Sequence, residues 1–199
     1  MSTVIVIPAY NPDERLLALT GELTARGCGR IIVVDDGSSS ADSAAVFASL
    51  AAGTGVVLCR HRQNLGKGAA LKTGLREALR LWPECAGVVT ADADGQHSAA
   101  DIVKISAALA NRADSLVLGV RDFSAPHVPI HNKLGNKITS AVFRLITGRF
   151  CPDTQTGLRG LPRILLPEWI NIPGQRYEYE MNLLLHAAKK KTPLAEVQG

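Results

Sequence analysis

Two carboxylates one residue apart, at the end of an apolar run, carry the clearest chemistry in this sequence. The apolar residues 88–91 lead directly into Asp92, Ala93 and Asp94, and Gln96 follows. Carboxylates that alternate with a small residue at a strand end can converge on one hard divalent cation, which keeps positions open for substrate phosphates. Asp92 and Asp94 are therefore candidate metal ligands, with Gln96 as a third. A turn with solvated acids and no metal fits the same residues, so the rest of the chain must decide.

The elements that would position this pair alternate along the chain. Short apolar runs rich in β-branched residues are typical of strands buried on both faces, and segments with helical periodicity separate them. The predicted strands are 4–7, 31–34, 56–59, 88–91 and 116–120, and the predicted helices are 13–26, 39–52, 67–81 and 99–111. This alternation predicts an α/β fold with a Rossmann-like, mostly parallel sheet and helices on both faces.

Polar clusters follow four of these strands, at the sheet edge where parallel sheets bind ligands. They occupy 8–11, 35–38, 64–68 and 92–94. We expect Asp36 to accept a hydrogen bond from a base or ribose hydroxyl and Ser38 to cap the next helix, although Asp36 would also serve as a cap. Tyr10 offers an aromatic face on which a base could stack. Lys67 opens a helix whose N-terminus could take an anion, but the glycine spacing of P-loop and dinucleotide-binding folds is missing.

Charged residues in the second half suggest a further anionic ligand. Arg121, Lys133 and Arg159 could form a cradle for a phosphate near Asp153. A surface salt bridge is the commoner role for each of these cations taken alone. The set is therefore a hypothesis that depends on the fold bringing its members together.

The end of the chain predicts helices and an incomplete strand. Residues 132–147 and 177–191 have helical periodicity. Glu178 and Glu180 suit the dipole at the start of the second helix, and one of them is a candidate for facing bound substrate. Residues 193–197 look like a strand with no room to finish, so we expect the natural C-terminus to be missing.

The bulk composition is that of a soluble protein, and we expect one domain over residues 1–199. The chain is 46% hydrophobic and 20% charged, which allows a full core. Its net charge of +4 is mild, and no basic stripe is interleaved with stacking residues, which argues against nucleic acid as a partner. The four cysteines form no Cys-x-x-Cys pair, which favours reduced thiols in the cytoplasm. Four histidines lack metal-ligand spacing and are interpreted as packed or solvated: His61, His127, His131 and His186. His97 could approach a metal at Asp92 and Asp94, but we expect it to line the pocket or to cap the following helix.

Taken together, these segments resemble an inverting family 2 glycosyltransferase with the GT-A fold. The matching segments, in family order, are 6–11, 33–38, 64–68, 91–97, 134–136, 153–159 and 176–180. Within that family the chain is most similar to polyprenyl-phosphate sugar transferases of the dolichol-phosphate mannose or glucose synthase type. The segment 153–159 is the one that indicates this branch. The resemblance implies that residues 1–120 bind a nucleotide sugar and residues 121–199 bind the acceptor.

The resemblance also implies roles for individual residues. Mg²⁺ or Mn²⁺ on the diphosphate would be held by Asp92, Asp94 and Gln96. The catalytic residues would be Asp94, Asp153 and Arg159. The substrate-binding residues would be Pro8, Tyr10, Asn11, Asp36, Lys67, Arg121, Lys133, Gln155 and Glu178. Lys133 stands where such enzymes tend to carry Arg.

The expected reaction is transfer of a hexose from a UDP- or GDP-sugar to a polyprenyl phosphate, such as dolichyl or undecaprenyl phosphate. A phosphate acceptor is already anionic at neutral pH, so positioning and charge neutralisation suffice without a strong base. One alternative is transfer to a saccharide hydroxyl, with Glu178, Glu180 or Asp153 as general base. Another is a catalytically silent nucleotide-sugar-binding module. The resemblance places the chain in the cytoplasm, peripheral to the membrane, with a membrane-embedded partner or a missing membrane domain.

Overall fold

Strands and helices alternate through the first 120 residues of the computed structural model, which describes residues 2–53, 55–120, 140, 144–145, 148 and 153–198. The elements are β1 (Val4–Ala9), α1 (Arg15–Ala25), β2 (Ile31–Asp35), α2 (Ala41–Ala52), β3 (Val56–Arg60), α3 (Lys67–Leu81), β4 (Gly87–Thr90), α4 (Ala99–Ala110) and β5 (Leu116–Val120). Each element matches a predicted one to within a few residues at either end.

The second half adds two strands and short helical segments. They are β6 (Arg159–Pro162), a 3₁₀ turn (Arg163–Leu165), α5 (Leu166–Trp169), α6 (Glu178–Lys189) and β7 (Leu194–Gln198). The helix predicted at 177–191 is present as α6, whereas the one predicted at 132–147 lies mostly outside the described residues. Nowhere in the described part does a helix combine the length and apolar character that a membrane crossing requires.

Seven strands of the described chain form one sheet in the order β3-β2-β1-β4-β6-β5-β7. The sheet is parallel except for β6, which runs antiparallel between β4 and β5. This confirms the predicted α/β architecture. The residues predicted to begin a final strand form β7, which pairs with β5 from Leu194 opposite Leu116 to Gln198 opposite Val120.

Alternate residues of the central strands face two separate cores. Val4 and Val6 of β1 pack on one side with α3, α5 and α6, and Ile5 and Ile7 pack on the other with α1, α2 and α4. All four are at most 2% exposed. Helices cover both faces, so both sets of side chains must be apolar, which explains the continuous hydrophobic runs in the sequence.

Candidate functional site

A cleft of about 340 Å³ opens at the carboxyl ends of β1, β2 and β4. The chain runs outward from β1 to β3 and then returns to β4 on the other side of β1, which leaves a crevice between the loops that follow β1 and β4. Residues from several loops line it: Pro8 to Asp13 with Arg15, Asp36, Asn64 with Gly66 and Lys67, Asp92 to Asp94, and Arg176 with Tyr177.

Lys67 joins two carboxylates from distant parts of the chain. Its Nζ lies 2.7 Å from Oδ1 of Asp92, at the end of β4, and 2.8 Å from Oε2 of Glu180, in the first turn of α6. The three side chains are mostly buried, with exposures of 17%, 23% and 14%. Lys67 therefore links the first half of the chain to the second at the floor of the cleft.

The charges around Asp92 stabilise its ionised form. Burial by itself would raise the pKa of Asp92, but the neighbouring His97 ring and the Lys67 ammonium outweigh it and lower that pKa below its usual range. Burial would likewise lower the pKa of Lys67, and attraction to Glu180 and Asp92 raises it instead. Nε2 of the buried His97 lies 3.7 Å from Oδ2 of Asp92. The helix that follows is capped by Ser98, not by His97.

Asp94 sits in a tight turn at the mouth of the cleft. Its Oδ1 accepts a hydrogen bond from the Gln96 backbone N–H at 3.0 Å, and its Oδ2 accepts one from the Gln96 side-chain amide at 2.7 Å. Gly95 adopts φ +78°, a conformation that favours glycine. Arg15, which the sequence did not single out, donates from Nη1 to the Asp94 carbonyl at 2.6 Å. The structure thus places Asp92, Asp94 and Gln96 on one short loop beside the cleft.

The loop after β1 forms the opposite wall. Pro8 and Tyr10 line the cleft, and Tyr10 is 52% exposed, so its ring is available for stacking. Asn11 has φ +46°, and its Oδ1 accepts hydrogen bonds from the backbone N–H groups of Ser39 and Ser40 at 2.9 and 3.1 Å. Asn11 therefore fixes the loop after β1 to the loop after β2.

The cap of α2 differs from the one predicted. Ser40 is the N-cap residue, and its hydroxyl accepts from the Ser43 N–H at 3.2 Å. The Ser38 hydroxyl instead accepts from the Asn11 N–H at 2.8 Å. The prediction that Ser38 caps this helix is therefore wrong, because α2 begins two residues later than the sequence pattern indicated.

Asp36 lies at the base of the cleft and is 3% exposed. Its Oδ2 accepts from the Gly66 N–H at 2.8 Å, and its Oδ1 accepts from the Leu65 N–H at 3.0 Å and from the His61 ring at 2.8 Å. The loop that precedes α3 therefore fixes the Asp36 side chain, and this side chain borders the cleft.

The segment 153–159 packs behind Asp92. Asp153 is fully buried, and its Oδ1 accepts from the Gln155 N–H at 3.1 Å; the Gln155 side chain is exposed. Arg159 is 2% exposed. Its guanidinium donates to three backbone carbonyls, those of Thr156 at 2.8 Å, Glu180 at 2.6 Å and Thr154 at 3.3 Å. These hydrogen bonds tie the segment to α6.

A second segment, residues 174–178, reaches the cleft from the far end of the chain. Ala69 donates its N–H to the Gln175 carbonyl at 2.8 Å, and Glu178 accepts from the Gln175 and Arg176 N–H groups at 3.0 and 3.2 Å. Arg176 and Tyr177 line the cleft as a result. The close approach of this part of the chain to α3 requires a glycine at position 68, because a Cβ there would lie 2.5 Å from Cβ of Tyr179. That glycine is its local signal in the sequence.

Arg121 and Lys133, both predicted to bind substrate, lie outside the described residues. Their predicted roles therefore remain predictions. Gln96 lies on the loop after β4 but does not line the cleft, and the other predicted site residues line it or occupy the two segments packed against it.

Comparison with known proteins identifies the family. The family model described as "Glycosyl transferase family 2" matches residues 4–160. The chain belongs to glycosyl transferase family 2. That match spans every strand bordering the cleft and ends within β6, so it includes all the cleft-lining residues except Arg176 and Tyr177.

Two relatives illustrate the branch of the family. A UDP-N-acetylglucosamine–dolichyl-phosphate N-acetylglucosaminyltransferase of Methanococcus voltae is 31% identical over 212 residues, which cover 97% of this chain and 82% of the relative. A dolichyl-phosphate β-glucosyltransferase of Trichomonas vaginalis is 26% identical over 211 residues, which cover 96% of this chain and 63% of the relative. Both names describe enzymes of dolichyl phosphate.

Solved structures of glycosyltransferases superimpose on this chain. One example is glucosyl-3-phosphoglycerate synthase from Mycobacterium tuberculosis in complex with Mn²⁺, UDP and glucosyl-3-phosphoglycerate. It superimposes with a TM-score of 0.73 over 99% of this chain and 70% of that one, at 19% identity. The likeness shows the GT-A fold that the sequence predicted.

Proposed function

We propose that this chain transfers a hexose from a nucleoside-diphosphate sugar to a polyprenyl phosphate. The observation that carries the proposal is one cleft at the carboxyl ends of β1, β2 and β4, with an exposed aromatic residue on one wall and a carboxylate pair with a lysine on the other. Relatives that span 96–97% of the chain and are named for dolichyl phosphate support the acceptor class.

The donor occupies this cleft in the proposal. Pro8, Tyr10 and Asp36 contact the nucleoside, with the exposed ring of Tyr10 stacking on the base. The diphosphate lies toward Lys67 at the N-terminus of α3, where the helix dipole and the ammonium favour negative charge. Arg15 and Arg176, which also line the cleft, add positive charge near the same group. Asn11 contributes to donor binding by fixing the loop after β1 to the loop after β2.

The residues on the loop after β4 fit a divalent cation. Two carboxylates and a side-chain amide are hard oxygen ligands of the kind that Mg²⁺ and Mn²⁺ take. No group of three His, Cys, Asp or Glu side chains suited to a metal occurs among the described residues, and the proposed ligand set is two carboxylates and one amide. Asp92, Asp94 and Gln96 would hold the ion, which would supply charge neutralisation for the departing diphosphate.

The acceptor side of the proposal rests on the segment 153–159 and the start of α6. Asp153 and Arg159 are buried in the segment whose Gly157 packs against Asp92, and Arg159 fixes the backbone of Thr154 and Thr156. Gln155 and Glu178 are exposed and are available to an acceptor, and Arg121 and Lys133 are proposed to complete the phosphate contacts. An anionic acceptor needs no proton removed, so these residues need only orient its oxygen for in-line attack with inversion.

A calorimetric titration tests the donor assignment. UDP-glucose, UDP-N-acetylglucosamine and GDP-mannose are each titrated with and without Mn²⁺ into the wild-type chain and the Asp94→Asn variant. We expect one donor to bind at least about 10-fold more tightly with Mn²⁺, a gain that Asp94→Asn removes. Binding of a donor with no dependence on metal or Asp94 would contradict the metal assignment.

Turnover distinguishes the acceptors. We expect sugar transfer to a short-chain polyprenyl phosphate, with a rate that stays flat through neutral pH because no general base titrates. Transfer to a saccharide alcohol instead, with a rate that rises with pH, would support the hydroxyl-acceptor alternative. Donor binding without turnover on either acceptor would support the silent binding module. Because a polyprenyl phosphate resides in a bilayer, sedimentation with acceptor-containing vesicles tests the expected peripheral association.

A further inference from the structure

A buried chain of three polar side chains connects the ends of two strands to the middle of α3. Nδ1 of His61 lies 2.8 Å from Oδ1 of Asp36, and Nε2 of the same ring lies 2.9 Å from the hydroxyl of Thr73. The His61 and Asp36 side chains are 10% and 4% exposed. The backbone N–H of His61 also donates to the Asp35 carbonyl at 2.9 Å. Both ring nitrogens and the backbone N–H of His61 therefore make hydrogen bonds.

This arrangement fixes the orientation of both side chains. A carboxylate accepts hydrogen bonds, so the ring proton of His61 stands at Nδ1, and Nε2 faces the Thr73 hydroxyl. From the described residues Asp36 receives three hydrogen bonds, two on Oδ1 and one on Oδ2. One acceptor position on Oδ2 is left for the cleft that Asp36 borders.

The same contacts set the wall of the cleft. The Leu65 and Gly66 N–H groups that bind Asp36 belong to the loop just before Lys67. That loop is confined on both sides, because a Cβ at Gly37 would overlap the backbone of Gln63, and a Cβ at Gly66 would lie 2.5 Å from the Gln175 carbonyl oxygen. A shift of Asp36 would therefore move Asn64, Lys67 and the 174–178 segment together.

We infer that His61 is a positioning residue for the donor nucleotide, acting through Asp36 on the loop 63–66. This inference rests on the proposed function, since it assigns the cleft to a nucleoside diphosphate. His61 itself does not line the cleft, so its effect reaches the ligand only through the carboxylate and the loop. The Thr73 hydroxyl anchors the far side of the ring to α3 and prevents it from rotating.

Variants of His61 and Thr73 separate positioning from bulk stability. His61→Ala removes both hydrogen bonds, Thr73→Val removes only the outer one, and His61→Asn places an amide N–H where Nδ1–H stood. A second histidine–carboxylate pair supplies the matched control: Nε2 of His186 lies 2.9 Å from Oε1 of Glu168 at the surface, away from the cleft. His186→Ala deletes a hydrogen bond of similar length that touches nothing in the donor site.

Amide hydrogen exchange of Leu65 and Gly66 reports on the loop without any ligand. We expect His61→Ala to accelerate exchange at both amides by roughly 10-fold or more, Thr73→Val to have a smaller effect, and His61→Asn to restore protection. His186→Ala should leave both amides unchanged. Unchanged exchange in His61→Ala would overturn the inference, whatever the protein binds.

Titration with UDP and GDP then tests the link to the ligand. We expect His61→Ala to raise the dissociation constant of the preferred nucleotide roughly 10-fold and to raise the donor KM while kcat changes little, because a nucleoside contact contributes equally to ground and transition states. His61→Asn should recover most of the affinity. Faster amide exchange with unchanged nucleotide affinity would overturn the inference. Failure of the wild-type chain to bind either nucleotide would overturn both the donor assignment and this role of His61. If the wild type binds a nucleotide and His61→Ala binds it equally well, only the role of His61 is overturned.

Discussion

The backbone of Gly157 packs directly against the carboxylate of Asp92, although the two residues come from different halves of the chain. A Cβ at position 157 would overlap Oδ2 of Asp92. The hydroxyl of Thr90 donates to the Gly157 carbonyl at 2.8 Å and holds the two segments together. Asp92 and the segment 153–159 are therefore in contact.

Substitution of Gly157 by alanine is expected to displace Asp92. The added methyl group has no room, so either the carboxylate or the 153–159 segment must shift. A displacement of about 1 Å at a reacting group lowers transfer by roughly 100-fold, which a steady-state assay measures. Gly21→Ala is the matched control, because a Cβ at Gly21 in α1 meets nothing within 4 Å. That variant should retain full activity and gain about 0.5–1 kcal/mol of stability. Equal activity of the two variants would contradict the expectation.

Acid unfolding should report on the Lys67–Asp92 pair. The pKa of Asp92 is lowered in the folded chain, because His97 and Lys67 outweigh its burial. The unfolded state therefore binds the proton first, and the stability that Asp92 contributes is complete above about pH 4, its unfolded pKa, and is lost as the pH falls toward the lower folded value. Lys67→Met should make stability fall less steeply with acid between about pH 2.5 and 4. Urea unfolding in the presence of a chelator measures how the free energy of unfolding changes with pH. Equal pH dependence for the wild type and Lys67→Met would show that Lys67 does not set the Asp92 pKa.

Removal of Lys67 should also lower stability at neutral pH. It leaves Asp92 and Glu180 as two mostly buried carboxylates without their shared cation, and breaking a buried pair in this way costs about 3–5 kcal/mol. The double variant Lys67→Met with Glu180→Gln should recover part of that loss. Thermal unfolding in the absence of donor measures the stability of the single and the double variant. No recovery of stability in the double variant would argue against Glu180 as the second partner of Lys67.

Arg159 offers a test between a structural role and contact with the acceptor. Its three hydrogen bonds to backbone carbonyls predict that Arg159→Met destabilises the chain by about 3 kcal/mol or more, because buried acceptors lose their donors. Arg159→Lys keeps the charge but cannot reach three carbonyls, so it should destabilise nearly as much. If the lysine variant instead keeps its stability and only the KM for polyprenyl phosphate rises, Arg159 acts mainly on the acceptor.

The serines after β2 should have separable effects. Ser40→Ala removes the N-cap of α2 and should cost about 1 kcal/mol of stability with little change in donor affinity. Ser38→Ala removes the acceptor for the Asn11 N–H and should weaken nucleotide binding more than it lowers stability. Each variant removes one serine hydroxyl from the same loop, so each serves as the control for the other in paired unfolding and titration experiments. A larger stability loss for Ser38→Ala than for Ser40→Ala would contradict this division of roles.

Much of the fold could be predicted because its signals are local. β1 to β5 are apolar since both their faces are covered, and α1 to α4 show the periodicity of helices packed on a sheet. β6 escaped prediction because Arg159–Pro162 is a short run with one glycine and one proline, and its place depends on pairing with β4 and β5. The β7 residues were recognised as a strand, but the sequence alone did not reveal that they pair fully with β5.

The site could be predicted where one loop carries it and not where distant segments meet. Asp92, Asp94 and Gln96 share a loop, so their proximity follows from the sequence. Arg176 reaches the same cleft only because Gly66 and Gly68 admit the 174–178 segment, a contact between residues more than a hundred positions apart. His61 was interpreted as an ordinary packed histidine, because its partners Asp36 and Thr73 become neighbours only after β2, β3 and α3 assemble.

The antiparallel strand between β4 and β5 imposes an order on assembly. β4 acquires its second neighbour only when residues 159–162 arrive, about 70 residues later in synthesis, which takes roughly 4–14 s on a ribosome. During that interval the sheet of β1 to β4 presents a bare hydrogen-bonding edge, and β5 has no strand to pair with. The nascent chain is most exposed to mispairing with another chain at this stage, so its yield depends on how quickly β6 closes that edge.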